Sequence, residues 1–332
     1  MINKPWQEQA LSLHKEGYSN RAIGRELKKD ESVIRRYLKK EPSSIMQAVE
    51  ETLADLQSML DEEVYVAEGA KVLFLDLEVS ASVVAAFSMF KHFSTPDHII
   101  QFPYVLSFAA NWLHEPEDKI FAVHLADFEG FEDDYKSDKE LIMRLWQFME
   151  EADIVVIQNE GFDRGWFSQR CAYWDLPEPS PYRVCCTLKG LKKAMSLPSN
   201  SLGYSTKYFN LGHNKLKHDG IALWIRCMNG EVEALDLMKE YNIGDIPTLR
   251  QLYFKIRPWI PNHPNVALYY GDKDGKKRCS VCGSIHLTEL ESKAYTNLSV
   301  FTAYRCNDCG TVKRDGERQK GSSKHYLRTI SK

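Results

Sequence analysis

Two apolar runs of this chain each lead into carboxylates, and this arrangement limits the fold more than any other feature. The first run, Lys71–Leu77, predicts a buried strand, and it carries Asp76 with Glu78 two positions later. Side chains alternate along a strand, so these two acids share one face. The second run, Asp153–Ile157, also predicts a strand, and Asp163 follows it. Like charges a few ångströms apart repel, so a divalent cation is the usual reason for acids to gather at strand ends.

A fourth acid lies in a predicted helix over 231–256. Asp245 follows Tyr241 by four positions, which places both side chains on one helix face. Carboxylates suit Mg²⁺ or Mn²⁺. Two such ions about 3.5–4 Å apart can generate a hydroxide nucleophile and stabilise the leaving oxygen of a phosphodiester. Each acidic segment taken alone is more often a solvated turn or an exposed helix face, so the hypothesis depends on their order and spacing together.

The central region predicts an α/β fold, a mixed sheet flanked by helices. Three strands come first, and they suggest an antiparallel meander. An amphipathic helix, a further strand and then mostly helices follow. The predicted strands cover 71–77, 104–112, 119–126 and 153–157, and the predicted helices cover 137–152, 162–173, 187–195, 201–210, 218–229 and 231–256.

Three short motifs carry a resemblance to a known family. They are Asp76-x-Glu78, then Asn159-x-x-Phe-Asp163, then Tyr241-x-x-x-Asp245. In this order they resemble the exonuclease motifs of the DEDD superfamily of 3′→5′ exonucleases, and the tyrosine is typical of the DEDDy branch. The stretches Leu197–Leu202 and Met238–Asp245 are similar to phage and bacterial ribonuclease H-like exonucleases. The resemblance covers residues 69–265.

The resemblance implies a ribonuclease H-like domain that hydrolyses DNA from its 3′ end with two Mg²⁺ or Mn²⁺ ions. It implies that Asp76, Glu78, Asp163 and Asp245 hold the ions and that Tyr241 orients the attacking water. Asn159 and Asn200 are the candidates for lining the nucleic-acid groove. Phe162, Trp166 and Trp224 either stack on bases or pack in the core. Cys186 stands where these relatives often have an aspartate, which puts a secondary role of that position in doubt.

Residues 1–41 predict three short helices that resemble a helix-turn-helix. Ser19 is a candidate N-cap for the second helix. Arg35 and Arg36 lie on the outward face of the third, so they are the candidate DNA contacts. The turn has Lys29 and Asp30 where such motifs often have glycine, and a plain helical hairpin that mediates other contacts stays open. Residues 42–68 predict an acidic helical connector.

Residues 271–320 resemble a zinc ribbon, because two Cys-x-x-Cys pairs lie there, each followed by glycine. Four thiolates leave no open position on the metal, so they predict one structural Zn²⁺. Two cysteine pairs without metal are the alternative. The segment between the pairs, 294–304, predicts a strand. His286 is close in sequence, but four cysteines suffice. The predicted ligands are Cys279, Cys282, Cys306 and Cys309.

The charge is distributed unevenly along the chain. Residues 1–41 carry +4, residues 271–332 carry +6 and the middle carries -13, within a net charge of -3. Basic ends favour nucleic-acid contact at both termini, including a basic tail over 321–332. We find no apolar run of about 18 residues and no apolar signal region. These observations predict no membrane partner and a cytoplasmic location, and the resemblance implies a bacterial or phage-infected cell.

The predicted activity is therefore a 3′→5′ exodeoxyribonuclease. One alternative is a structure-selective endonuclease on the same fold. Another is a DNA-binding regulator or mobile-element protein whose nuclease core is incidental. DNA is the expected partner with RNA as the alternative, a replication or recombination protein is a further candidate partner, and the oligomeric state stays open.

Overall fold

The computed structural model describes residues 5–38, 69–88, 90, 94–212, 220–271 and 275–320. The chain divides into two units, Met1–Val66 and Ala67–Lys332. The predicted acidic connector over 42–68 and the predicted basic tail over 321–332 lie outside the described residues.

Within residues 5–38, the described part of the first unit, three short helices surround a small apolar core. Ala10, Ile23 and Ile34 contribute one fully buried side chain from each helix. The hydroxyl of Ser19 accepts a hydrogen bond from the N–H of Ala22 at 3.3 Å, which confirms the predicted N-cap. In the glycine-free turn, Lys28 takes a positive φ of 51°. The helices are α1 (Pro5–Lys15), α2 (Asn20–Glu26) and α3 (Glu31–Leu38).

A mixed five-stranded sheet forms the centre of the second unit, in the order β5-β4-β1-β6-β7. The β1–β4 and β4–β5 pairs are antiparallel, whereas β6 is parallel to both β1 and β7. Helices flank this sheet, so the α/β class and the meander are confirmed. The strands are β1 (Val72–Val79), β4 (Val105–Trp112), β5 (Phe121–His124), β6 (Ile154–Ile157) and β7 (Arg183–Cys186), and a small hairpin of β2 (Val83–Val84) and β3 (Ile99–Gln101) connects β1 to β4.

The two faces of β1 belong to different apolar clusters, and the long helix Val232–Ile256 contributes residues to both. Leu73, Leu75 and Leu77 belong to a buried cluster with residues of α4 and α5. Val72 and Phe74, on the other face, belong to a cluster with residues of α9.

No helix within the described ranges is long and apolar enough to cross a membrane. The helices are α4 (Lys139–Glu151), α5 (Glu160–Tyr173), α6 (Thr187–Ala194), α7 (Leu202–Tyr208), α8 (Ile221–Met228) and α9 (Val232–Ile256).

A buried ion pair fixes α5 against the start of β4. The carboxylate of Asp138 accepts hydrogen bonds from Nε and Nη2 of Arg170 at 2.8 and 2.7 Å. The same carboxylate accepts from the N–H of Val105 at 2.9 Å and from the indole N–H of Trp174 at 2.7 Å. Removing one partner of such a buried pair costs about 3–5 kcal/mol, because the other charge stays buried without compensation. The pair thereby stabilises the position of the helix that carries Asp163.

The cysteine-containing segment folds as a three-stranded sheet that packs beside the end of α9. Its strands are β8 (Leu287–Tyr295), β9 (Val300–Cys306) and β10 (Val312–Arg318). The sequence predicts one continuous strand over 294–304. That prediction is wrong, because the Thr296 hydroxyl accepts from the N–H of Ser299 at 3.1 Å and closes a turn between β8 and β9. The Thr311 hydroxyl donates to the carbonyl of Pro258 at 3.2 Å, which connects this sheet to the segment after α9.

Candidate active site

Three of the four predicted acids meet near the carboxyl end of β1. Asp76 and Glu78 lie on β1 and Asp245 lies on α9, and one carboxylate oxygen of each is within 4.8 Å of the others. Phe74 shares their face of the strand and belongs to the same buried cluster as Ile246 of α9. The packing of α9 on this face therefore brings Asp245 to the two strand acids.

The composition of this cluster fits a hard divalent cation. Asp76 and Glu78 are half-buried and Asp245 is 4% exposed, so water screens their mutual repulsion incompletely. All three ligands are carboxylates, the type that Mg²⁺ and Mn²⁺ prefer. This group could therefore bind a metal ion.

Asn242, which the sequence did not single out, contacts the acid cluster directly. Its Nδ2 donates a hydrogen bond to Oδ2 of Asp76 at 2.6 Å, and the whole residue is buried. The Ser107 hydroxyl donates to Oδ1 of Asn242 at 3.5 Å. The amide thereby holds one oxygen of Asp76 and restricts the orientation of its carboxylate plane. Its only sequence signal is its place on α9, three positions before Asp245.

Asp163 lies beside the group of three. It is 4% exposed in the first turn of α5, and its Oδ1 accepts a hydrogen bond from the N–H of Leu77 at 3.2 Å. Leu77 is the residue between the two strand acids, so Asp163 adjoins the cluster. Burial raises the pKa of Asp163 to about 7, while hydrogen bonds from the N–H groups of Asp163 and Leu77 act to lower it. A nearby cation would favour the ionised form.

Tyr241 and Trp224 lie on the α8 and α9 side of the same strand end. Tyr241 is 5% exposed, and its ring centroid lies 6.5 Å from that of Trp224. The indole N–H of Trp224 donates to the carbonyl of Val79 at 3.1 Å, so α8 is held to the last residue of β1. Tyr241 precedes Asp245 by one helical turn, as its predicted role requires. Trp224 is half-buried and packs against the core.

Asn159 and Asn200 both lie near the carboxyl end of β6. Asn159 is exposed at the N-cap position of α5, where its side chain makes no capping hydrogen bond. The carbonyl of Asn200 accepts from Nε2 of Gln158 at 2.8 Å. Oδ1 of Asn200 is buried and has no hydrogen-bond partner among the described residues. β1 and β6 are parallel neighbours, so their carboxyl-terminal ends lie at the same end of the sheet. Both asparagines therefore lie at the end of the sheet where the acids meet.

Cys186, for which the sequence left a secondary role in doubt, caps a helix. It is 7% exposed at the N-cap of α6, and its Sγ accepts from the N–H of Lys189 at 3.4 Å. Its thiol also lies 3.6 Å from the carbonyl of Gln158. The structural role of Cys186 is therefore to cap the start of α6, directly after β7.

The four predicted zinc ligands form a second cluster. Their sulfur atoms all lie within 4.8 Å of one another, with Cys279 and Cys309 at 3.6 Å and Cys282 and Cys306 at 3.5 Å. Zn–S bonds of about 2.3 Å in a tetrahedron place sulfurs about 3.8 Å apart, so this cluster could bind one metal ion. Nδ1 of His286 pairs instead with Asp308 at 3.2 Å.

Glycine lets the first cysteine turn pack closely against the segment that follows α9. Gly283 has a φ of 76°, and a Cβ there would lie 2.3 Å from the ring of Tyr270. The N–H of Val266 donates to the carbonyl of Ser280 at 2.9 Å. The cysteine cluster therefore belongs to the same unit as the acid cluster.

The two predicted DNA-contacting arginines belong to the other unit. Arg35 and Arg36 are exposed in the last turn of α3. Two exposed cations on one short helix are compatible with phosphate contact.

Comparison with known proteins adds no family. No protein-family model matches the chain, and no curated protein is significantly similar to it.

Proposed function

We propose that this chain is a divalent-metal-dependent 3′→5′ exonuclease with a ribonuclease H-like domain of the DEDDy type, acting on DNA. The observation that carries the proposal is the convergence of Asp76, Glu78 and Asp245 with oxygens within 4.8 Å, with Asp163 beside them. The order of the acids along the chain and the position of Tyr241 support the 3′→5′ direction through the resemblance.

In the proposed site, Asp76, Glu78 and Asp245 would hold one ion, and Asp163 would complete the set for a second. When bound, Mg²⁺ or Mn²⁺ would supply a nucleophilic hydroxide and stabilise charge on the leaving oxygen. Asn242 fixes the Asp76 carboxylate through its 2.6 Å hydrogen bond. Tyr241 would orient the attacking water, a positioning role.

The proposed roles of the other regions follow from their chemistry. One Zn²⁺ held by the four cysteines would be structural, since four thiolates complete its coordination. The first unit would contact DNA as a helix-turn-helix through Arg35 and Arg36. Asn159 and Asn200 would line the path of the strand near the acids.

A labelled-strand assay tests the activity. The full-length protein is incubated with single strands labelled at either end, the matching duplex and an RNA strand, in Mg²⁺ or Mn²⁺. We expect a 5′-labelled strand to yield a ladder that shortens stepwise from the 3′ end, and a 3′-labelled strand to release its label as a mononucleotide at once.

Two outcomes would contradict the proposal in different ways. One internal cut at a branch or junction would assign the structure-selective endonuclease activity instead. Binding of DNA without hydrolysis in either metal would favour the DNA-binding regulator or mobile-element protein.

A further inference from the structure

A row of aromatic side chains extends along α5, starting beside the candidate active site. Phe162 directly precedes Asp163, and Trp166 and Tyr173 follow at helical spacing. Steps of four and seven residues bring these side chains back to one face of a helix. Phe162 is 41% exposed and Tyr173 is 64% exposed, so this face is open to solvent at both ends. Trp166, between them, is half-buried and packs against the core. We call these three residues the aromatic row.

Neighbouring side chains hold the rings of the row in place. The rings of Phe162 and Trp166 meet edge to face with centroids 6.3 Å apart. The guanidinium carbon of Arg170 lies 4.2 Å from the ring centroid of Tyr173. That guanidinium is itself fixed by its buried pairing with Asp138. The rings are therefore positioned before any ligand binds, which lowers the entropy cost of stacking on them.

The far end of the row opens into a groove of about 540 Å³. Its lining includes Gln169 and Tyr173 of α5 and also Ile100 and Phe102, which are 70% and 68% exposed. Ligand clefts run from about 300 to 1,000 Å³, so the groove has room for a group the size of a nucleobase. Tyr104 also lines it, one residue before the β4 residue that pairs with Val79 at the end of β1.

The charges of the groove favour bases over phosphates. Arg170 is engaged by Asp138, and the groove also contains one further cation, Lys136, and one further acid, Asp134. Lys136 donates to Oε1 of Gln101 at 2.7 Å. Such a nearly neutral site offers little attraction for a polyanionic backbone, whereas exposed aromatic faces attract unpaired bases.

We infer that the aromatic row and its groove bind single-stranded nucleic acid by stacking on unpaired bases. This inference rests on the proposed function, because the row begins at the residue beside Asp163. A duplex hides its base faces in its own stack, so the row selects a single strand. Phe162 and Tyr173 are eleven positions apart. At 1.5 Å per residue they are separated by about 16 Å, or about five stacked nucleotides at 3.4 Å each.

Binding of a labelled strand tests the inference independently of hydrolysis. Full-length protein carrying Asp245→Asn is titrated against a 12-nucleotide DNA strand, an RNA strand of the same sequence and the matching duplex, by fluorescence anisotropy. Tyr173→Ala should weaken single-strand binding about fivefold or more, from the usual contribution of one base–aromatic stack. Phe162→Ala should give a similar loss, and duplex binding should not change. If the substitutions weaken binding of the DNA strand and the RNA strand to different extents, the strand that loses more affinity carries the sugar that the site prefers.

Two further variants separate stacking from folding. Tyr173→Trp keeps an aromatic face and should restore binding. Trp259→Ala removes an aromatic ring that is 67% exposed just after α9, outside both basic ends, and should bind as the parent does. Abasic sites about four to six nucleotides from the 3′ end should abolish the effect of Tyr173→Ala, because no base then reaches the ring.

The inference and the proposed function fail in different assays. Wild-type affinity for single strands in both alanine variants would overturn the inference. An equal loss of affinity for the duplex would also overturn it. Either result would do so even if the parent protein hydrolyses DNA. Conversely, a protein that never hydrolyses DNA but shows the base-dependent loss would overturn the proposed function and leave the row as a single-strand binding site.

Discussion

The two clusters in the second unit differ in the type of ligand and in the structural elements that carry the ligands. The cysteine cluster has four soft thiolates within 4.8 Å of one another, carried on two short turns. The acid cluster has three hard carboxylates, carried on the middle strand of the five-stranded sheet and on the 25-residue helix α9. Four thiolates close a tetrahedral site, whereas three carboxylates leave positions for water and substrate. The first arrangement suits a structural ion and the second a reactive one.

The two clusters also differ in the size of the hydrophobic core that surrounds them. The cysteines are packed mainly against one another with Val281 and Leu287, a very small core. Asp245 lies within a helix whose buried residues Ile246, Leu249 and Tyr253 belong to a large cluster. A small core needs a metal to stabilise it, whereas the large core can position its acids without one. The cysteine region should therefore depend on its ion for folding, and the acid region only for chemistry.

Loss of one cysteine should have the largest effect. Cys279→Ser should remove the zinc and unfold the β8–β10 sheet, because structural zinc contributes about 10–16 kcal/mol of apparent binding energy in zinc-finger peptides. Metal analysis of the wild type should give about one zinc per chain, and the variant should lose protease resistance in this region. His286→Ala is the matched control and should keep its zinc. A fully folded, zinc-free wild type would show that the cysteines have no structural ion.

Loss of one acid should leave the fold intact and remove activity. Asp245→Asn should slow the proposed hydrolysis about 10³-fold, equivalent to about 4 kcal/mol of transition-state free energy. Zinc content and thermal stability should remain close to those of the wild type, since the amide has the same shape. Glu240→Gln changes an exposed acid on the same helix and should retain full activity. Near-wild-type turnover in Asp245→Asn would exclude this residue from the site.

Sequence spacing was sufficient for the cysteine cluster because each turn is a local structure. Cys279 and Cys282 are three positions apart, so a single knuckle brings both sulfurs to one ion. The prediction failed only for the strand between the turns, where Thr296 closes a hairpin inside a run that contains β-forming residues. A hydroxyl-capped turn of this kind is a weak signal beside strong strand propensity.

For the acid cluster, the motifs identified the residues but not their arrangement. Asp76 and Asp245 meet only because α9 packs on one face of β1, and no local pattern encodes that contact. β7 was missed because its four residues, Arg183–Cys186, include one β-branched side chain, whereas the equally short β6 is an unbroken run of β-branched residues. The contact between Asn242 and Asp76 joins residues 166 positions apart and was not predictable from spacing. The 41% exposure of Phe162 argues against core packing, and base stacking stays a prediction.

Substitution of Tyr241 tests whether the acid region contains a side chain that is needed for the reaction but not for metal binding. Tyr241→Phe should lower the rate of the proposed hydrolysis about 10²-fold, within the range of general acid–base and positioning effects. The Kd for Mn²⁺ should hardly change, because the ring still packs beside Trp224. Tyr253→Phe, at a buried tyrosine on the same helix, should affect stability and leave the rate unchanged. If Tyr241→Phe lost Mn²⁺ instead, the hydroxyl would have a structural role.

Asn242 should give the smallest effect and the sharpest distinction between the two clusters. The acid cluster has a buried side chain that orients one of its acids, since Nδ2 of Asn242 lies 2.6 Å from Oδ2 of Asp76. Removing a partner that orients a ligand typically costs 10–100-fold in metal affinity, so Asn242→Ala should weaken Mn²⁺ binding about tenfold. Titration of Mn²⁺ against the apo acid site, with zinc retained, measures this directly. Ser107→Ala, which removes only the 3.5 Å contact to Asn242, should have a smaller effect in the same direction. A lower Tm with an unchanged Mn²⁺ Kd would mean that Asn242 only fills space between α9 and β1, and the acids would then be oriented by their own packing.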